Sequence, residues 1–586
     1  MRLVLVLANL PLLSTSVVAS DAENIGHTPT GRPPATVSST SEPDEVFVEA
    51  VIVGAGWAGI SAAIDLQNSG YSSLLILEAN DYVGGRSKSM NSDGTLNTPP
   101  AELPSNNVPI EMGSEWLYQS GSTDVSQYSY LRDGGYLSKV NTNRYSNESL
   151  ALGRCCANLL TSFYWQTGSS PGQSQLLNNT EVKSLERNTW RSYNSFKSTC
   201  SSSHEQCKQA YFNSRSLSSL ERQYLNLVID SCGGMDTSAR IDELPANKTF
   251  TPDYYIYNTG YMSPQGVGFG NTAAAVAEQL KDKIRLNSKV VEINTSTIPR
   301  KVIVTYEVAN SGSQVRVIAN SVAVTVSLNV LKANNINFVP QLPSWKQNLI
   351  NGMGMGVLNK CVFVWDDGAV AQLFPKKLFW IELISNQDST SGRWTTFLNP
   401  SAQKGKPTLV GWVAGEDAMR MEDQTDDEVK AEMMSNLKLM FPDIPEPDRV
   451  VITRWGKEPN VLGAYSHHVV GRDFRDDSSA LGNPVGRIIF AGEATAGAWY
   501  ATTKGAWLTG QRAAIEMKQY LTADIVLEAS TSLATVAANY TMPMVAVSIL
   551  YFWRARRPRV GVIGGAQNVD LTGCELRATQ HYRTSP

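Results

Sequence analysis

The chain is 586 residues long, with 42% hydrophobic and 18% charged residues and a formal net charge of −4. That length exceeds one small core and calls for two or more domains, and the residue balance is that of an ordinary globular protein. Apart from RARRPR at 554–559 no basic run stands out, which argues against nucleic acid as a partner, whereas a mildly acidic surface weakly attracts a cationic substrate.

The first twenty residues, MRLVLVLANLPLLSTSVVAS, combine an early arginine, an apolar middle and small residues at Val18, Ala19 and Ser20. This is the layout of a secretory signal peptide cleaved near Ala19 or Ser20. Residues 21–45 are rich in Pro, Ser and Thr and read as a disordered linker or pro-segment. Sequons beginning at Asn147, Asn178, Asn247, Asn294 and Asn539 agree with a secreted or extracellular glycoprotein. Five of the seven cysteines (Cys155, Cys156, Cys200, Cys207, Cys232) fall in one region, which implies one or two disulfides there, Cys200 to Cys207 being the easiest local loop. None of the five histidines has finger-like spacing to a cysteine pair, so no metal site is expected.

Regular structure starts with VIVGAGWAGISAAIDLQNSGYSSLLILEANDYVGGRS, residues 51–87. A β-branched run ends at Val53, Gly54, Gly56 and Gly59 form G-x-G-x-x-G, and a helical pattern runs through Ile60, Ala63, Ile64 and Leu66. A second strand, LLILE, then ends in Glu78. This is the dinucleotide-binding fingerprint in its βαβ setting. Gly54 permits the tight turn, Gly56 lets the backbone approach a pyrophosphate, and Gly59 lets helix pack close to strand. Glu78 is placed to accept both hydroxyls of an adenosine ribose, and its charge disfavours a 2′-phosphate. Gly84, Gly85 and Arg86 follow just beyond the second strand.

Further along, GMGMGVLNKCVFVW (352–365) reads as a strand on which Lys360 shares a face with Leu358, Val362 and Val364. Taken alone, such a lysine lies along apolar surface and brings its charge out to water. Near the C-terminus, LATVAANYTMPMVAVSILYFW (533–553) has bilayer-spanning length and a basic flank, yet it contains Asn539, Thr541 and Pro543. It reads either as a membrane anchor or as a loosely structured or processed tail.

Several segments together resemble the flavin-containing amine oxidase superfamily, in that family's order from about 48 to 520. Gly84-Gly85-Arg86 resembles the second FAD motif of glutathione-reductase-type proteins. IEMGSEWLY (110–118) resembles the segment that runs beside the flavin, and LNSKVVEI (286–293) the strand that sets a valine, here Val291, at the adenine. RWGKEPNVLGAYS (454–466) and RIIFAGEATAGAWYATTKGAWLTGQRAA (487–514) resemble the closing motifs. The pattern GAYS followed by an A-T-x-x-G-A segment is most similar to polyamine oxidases and flavin-dependent histone lysine demethylases.

The resemblance implies an α/β plus α+β fold: a Rossmann-like, glutathione-reductase-type FAD-binding domain (46–119, 255–310 and 450–520) and a substrate-binding domain of mixed sheet and helices (120–254 and 311–449), followed by the tail 521–586. It implies noncovalent FAD, since no cysteine occupies the region where monoamine oxidases attach flavin. Gly54, Gly56, Gly59, Glu78, Gly85, Arg86, Val291, Trp455, Gly492, Glu493, Thr502 and Thr503 would then bind the cofactor. A helix beginning near Thr503 would point its N-terminus at the flavin and stabilise negative charge there. Lys360 falls on the lysine that holds a water against flavin N5; burial disfavours its charge, so it can trade protons. Tyr465 matches the aromatic residue that packs on the substrate amine.

The implied reaction is hydride transfer from the α-carbon of an amine to N5, reoxidation by O2 to H2O2, and hydrolysis of the imine to an aldehyde. Departures bear on the substrate. Thr502 stands where monoamine oxidases place a second aromatic wall, Thr503-Lys504 replaces Val-His, and Tyr118 replaces an acid or histidine that reads a distal amine in polyamine oxidases. These leave room for another amine, such as one of secondary metabolism. An L-amino acid oxidase is an enzymatic alternative; an inactive flavin-binding surface protein is an alternative of another class.

Overall fold

The computed structural model describes residues 45–90, 110–114, 161–247, 268–374, 380–386, 393–400 and 406–539. The signal-like segment, the linker, Tyr118, Cys155, Cys156 and the tail beyond 539 lie outside them.

Four short apolar strands and one edge pair form a five-stranded parallel sheet in the order Ile488–Phe490, Ser321–Val324, Ala50–Val53, Leu74–Leu77, Ile284–Arg285. The sequences AVIV, LLIL, SVAV and IIF are apolar at nearly every position because both faces are covered. Alternation then divides them. Ala50, Ile52, Leu74 and Ile76 pack against Trp57–Asn68 and the closing helix that starts at Thr503, through Ala58, Ala62, Ala513 and Met517. Val51, Val53, Leu75 and Leu77 pack on the other side against Val302, Val304 and Val317 of a second, mixed five-stranded sheet.

That arrangement draws strands of the expected substrate-binding span into these two sheets. Gln314–Ala319 and Ser321–Val324, within the 311–449 span expected to form the substrate-binding part, pair inside them. A continuous apolar strand does not state which sheet it joins; that is settled by partners distant in sequence. Conversely, Arg449–Ile452 pairs antiparallel with the lysine strand Leu358–Val364 and so belongs to the other sheet.

The second part is built on a seven-stranded sheet in the order Arg449–Ile452, Leu358–Val364, Thr408–Ala414, Thr396–Leu398, Trp380–Ile384, Thr161–Gln166, Ser174–Leu176. Cys361, Phe363 and Trp365 face Met433 and Leu437 of the helix Asp426–Met440. Leu358, Val362 and Val364 face Met112, Trp412 and Trp455, the same face as Lys360. Helices between 179 and 237 cover the other end, where Cys200 and Cys207 form a disulfide with Cα atoms 6.3 Å apart. Among the described residues no helix is long and apolar enough to cross a membrane; the closing helix ends its described course at Asn539, so most of 533–553 lies outside.

Candidate functional site

A cavity of about 250 Å3 runs along the C-terminal edge of the parallel sheet and into the contact between the two parts. Its first wall is the glycine turn. Gly54 has φ +103°, which a side chain would strain, and a Cβ on Gly59 would lie 1.9 Å from the Gly54 carbonyl oxygen. In front of Gly56, by contrast, a Cβ would meet nothing within 4 Å. The helix Trp57–Asn68 begins there without a side-chain cap, and Trp57 and Ala58 line the cavity. An uncapped helix N-terminus beside open space offers its amides to an anion.

Glu78 closes this end. It is buried, and its Oε2 accepts from Ala55 N (2.7 Å) while Oε1 accepts from Asn80 N (2.8 Å). Burial pushes its carboxyl above the usual carboxylate range, against the pull of those amides. Each oxygen keeps a second lone pair for a hydroxyl donor. Val291 does not face the cavity. A bulge sets Tyr306 opposite Val290 and Thr305 opposite Glu292, leaving Val291 out of the pairing, and Val290 is the residue on the wall.

In the middle of the cavity Arg86 meets Glu493. The Arg86 Nη1 donates to Glu493 Oε1 and to the Ala464 carbonyl, both at 2.8 Å. Glu493 Oε2 accepts from Ser466 Oγ (2.5 Å) and Ala501 N (2.9 Å), so one buried carboxylate joins three segments of the wall. Gly492 precedes it with φ +126°. The closing helix starts at Thr503, and Thr502 caps it: its hydroxyl accepts from Gly505 N (2.9 Å) and donates to the Trp499 carbonyl (2.6 Å). The hydroxyl of Thr502 is therefore engaged in capping, even though Ala501, Thr502, Thr503 and Ala506 all line the cavity.

The far end is aromatic. Trp412, Trp455 and Tyr465 stand on the wall with Leu358, Met112, Met235 and Asp236. The Tyr465 hydroxyl donates to the Met235 carbonyl. Trp455 Nε1 donates to Met112 O at 3.0 Å. Lys360 is buried one layer behind: its Nζ donates to the carbonyls of Glu111 and Gly113, each at 3.0 Å, and lies 4.5 Å from the centre of the Trp412 ring. The lysine thus touches the wall from behind and does not line the cavity itself. Trp412 and Asp236 carry no local motif. The pairing of Trp412 with Lys360 across neighbouring strands is what brings the indole to the site. Among the described residues no group of three or more His, Cys, Asp or Glu could hold a metal.

An open glycine cradle, an uncapped helix start, an acid with spare lone pairs and a second helix N-terminus fit a dinucleotide carrying a flavin. The model of the family described as flavin containing amine oxidoreductase matches residues 57–517. Probable polyamine oxidase 4 of Arabidopsis thaliana is 36% identical over 256 residues, 43% of this chain and 48% of that protein. Polyamine oxidase 4 of Oryza sativa subsp. japonica is 37% identical over 238 residues, 40% of this chain and 45% of that protein. Histone demethylase-like protein A of Aspergillus fumigatus is 33% identical over 252 residues, 40% of this chain and 22% of that protein. The chain spans about half the length of the polyamine oxidases it matches. Wild-type putrescine oxidase bound to putrescine shares the fold, with a TM-score of 0.59 and 20% identity over 81% of this chain and 100% of that one. A family match extending over most of the chain makes this protein a member of the flavin containing amine oxidoreductases.

Proposed function

We propose that the chain binds FAD without a covalent link and oxidises the C–N bond of a small cationic amine, a reading supported by its similarity to proteins named polyamine oxidase. The observation that carries this reading is one continuous cavity, from Gly56 and Glu78 past Arg86 and Glu493 to Trp412, Trp455, Tyr465 and Asp236. A flavin held there would supply a two-electron acceptor: a hydride lost from the α-carbon of the amine and a proton lost from its nitrogen leave an imine, two electrons and two protons go on to O2 as H2O2, and water hydrolyses the imine to an aldehyde and an amine.

The chain's own residues do the rest. Glu78 anchors the ribose hydroxyls, and the start of the helix Trp57–Asn68 receives the pyrophosphate. The closing helix, capped by Thr502, sets positive partial charge where negative charge collects on the ring system. Trp412 and Tyr465 offer π faces to a cation; the Met235 carbonyl fixes the Tyr465 ring by accepting its hydroxyl. Asp236 supplies a carboxylate for a second ammonium group. Lys360 holds the amine end from behind, through the Trp412 ring and the carbonyls of Glu111 and Gly113. Cys361 points into the core on the far face of its strand, and burial pushes its thiol up, which suits a cofactor held without a thioether.

Export through residues 1–20 goes with this reading, supported by the sequons and by the Cys200–Cys207 bridge. The experiment is peroxide release by the purified full chain against polyamines, acetylated polyamines, monoamines and L-amino acids. A bound, oxidised flavin that none of them reduces would overturn the oxidase reading. Turnover of L-amino acids alone would replace the substrate class.

A further inference from the structure

Behind the aromatic wall lies a buried polar network whose members are not cofactor or substrate contacts. Asn359 precedes Lys360 and so points to the opposite face of the strand. Its Nδ2 donates to Glu422 Oε1 at 2.8 Å, and its Oδ1 accepts from Thr453 Oγ1 and Trp455 N, both at 2.9 Å. Glu422 Oε1 also accepts from Gly456 N at 2.6 Å. Thr453 Oγ1 in turn accepts from Lys360 N at 2.8 Å. Asn359, Glu422 and Thr453 are all buried.

The consequence appears on the cavity side. Three consecutive carbonyls of the wall segment are held by two side chains: Lys360 takes those of Glu111 and Gly113, and the Trp455 indole takes that of Met112. The backbones of both residues hang on the Glu422–Asn359–Thr453 network. Gly456 has no room for a side chain, since a Cβ there would lie 2.4 Å from Glu422 Oε2. A buried hydrogen-bonded network of this kind selects one arrangement among those an apolar core would tolerate.

We propose that Glu422, acting through Asn359, is a positioning residue for the flavin-facing wall: it fixes the Trp455 indole and, with Lys360, the segment Glu111–Gly113. This rests on the cavity being a flavin site.

The test uses the full chain, stripped of flavin and titrated with FAD, with flavin fluorescence and melting temperature read together. Glu422→Leu removes the acceptor for two buried donors and should weaken FAD binding about tenfold or more and relieve quenching of the flavin by the indole. Glu422→Gln keeps a carbonyl oxygen at that place and should stay within about threefold of wild type. Thr453→Val, which cuts the link to Lys360 without changing shape, should fall between them. Asn436→Ala is the control for stability alone, since its amide holds the Arg393 and Trp394 carbonyls (both 3.0 Å) away from the cavity; it should lower the melting temperature and leave FAD affinity and fluorescence alone.

Wild-type affinity and fluorescence in Glu422→Leu would overturn the proposal. So would a Glu422→Gln as poor as the leucine variant, or an Asn436→Ala with the same flavin defects. Should Glu422→Leu fail to fold, Thr453→Val and Glu422→Gln decide by the same criteria. Failure of the wild type to bind FAD would remove the flavin reading and this proposal together. Loss of FAD in Glu78→Ala with no change in any network variant would remove this proposal only.

Discussion

Lys360 and Trp412 stand directly opposite each other on neighbouring antiparallel strands, with the ammonium 4.5 Å from the centre of the indole ring. The lysine is almost fully buried yet well supplied, because the ring face attracts its charge and the carbonyls of Glu111 and Gly113 accept from it. Replacing it by methionine keeps much of the volume and strips those carbonyls of their donor. Lys360→Met is expected to cost about 1–3 kcal/mol of stability and to slow amine-driven flavin reduction. Thermal unfolding and stopped-flow absorbance check the two effects separately. Wild-type flavin reduction in a folded variant would leave Lys360 with a structural role alone.

Glu78 is a second buried charge with a defined task. Its two oxygens hold Ala55 N and Asn80 N, so they shape the turn as well as face the cavity. In Glu78→Ala both amides lose their acceptor, and FAD affinity should fall roughly tenfold or more. Glu78→Gln can still accept from one amide and should recover part of that loss. Equilibrium titration of the apoprotein with FAD distinguishes the three; equal affinity throughout would take Glu78 out of the cofactor site.

What the sequence disclosed followed the range of each interaction. The run from Val51 to Arg86 was readable because turn, helix and acid-ended strand are neighbours in the chain. The start of the closing helix at Thr503 was readable for the same reason. Val290 replaces Val291 on the wall because of a bulge that only the partner residues Thr305 and Tyr306 reveal. The place of Gln314–Val324 is not legible locally because its partners come from both ends of the chain. Trp412 and Asp236 had no signature at all: the first is set by strand register, the second by a turn of helix that docks beside Tyr465.

Asp236 carries the substrate question that position 118, outside the described residues, leaves open. A carboxylate on the wall beside Tyr465 favours a substrate with a second ammonium group, since a hydrogen bond to a charged group contributes about 1.5–3 kcal/mol. Asp236→Asn should therefore raise KM for a diamine roughly tenfold or more, with a smaller rise for a monoamine. Steady-state peroxide assays on the two substrates give the comparison. Equal effects on both would assign Asp236 to the wall's structure and not to recognition.

The stability of the fold should depend on acid through two buried histidines. His467 pairs with Gly354 across a short two-stranded ladder, and a Cβ on that glycine would lie 2.3 Å from its ring. Burial lowers its pKa to about 4, and burial likewise lowers that of His204 to about 2. In the unfolded chain both protonate near 6.5. Between that value and the folded one, the unfolded state binds more protons, so stability falls as pH falls. The contribution of each is fully present above pH 6.5; that of His467 is used up by about pH 4, and that of His204 continues to decline below it. One proton corresponds to about 1.4 kcal/mol per pH unit, so His467 alone removes about 3 kcal/mol over this window. Urea unfolding at pH 7.5, 5.5 and 4.5 should show the decline, and His467→Gln should flatten it by one proton's share. A profile unchanged by that substitution would mean that His467 is already charged in the folded protein.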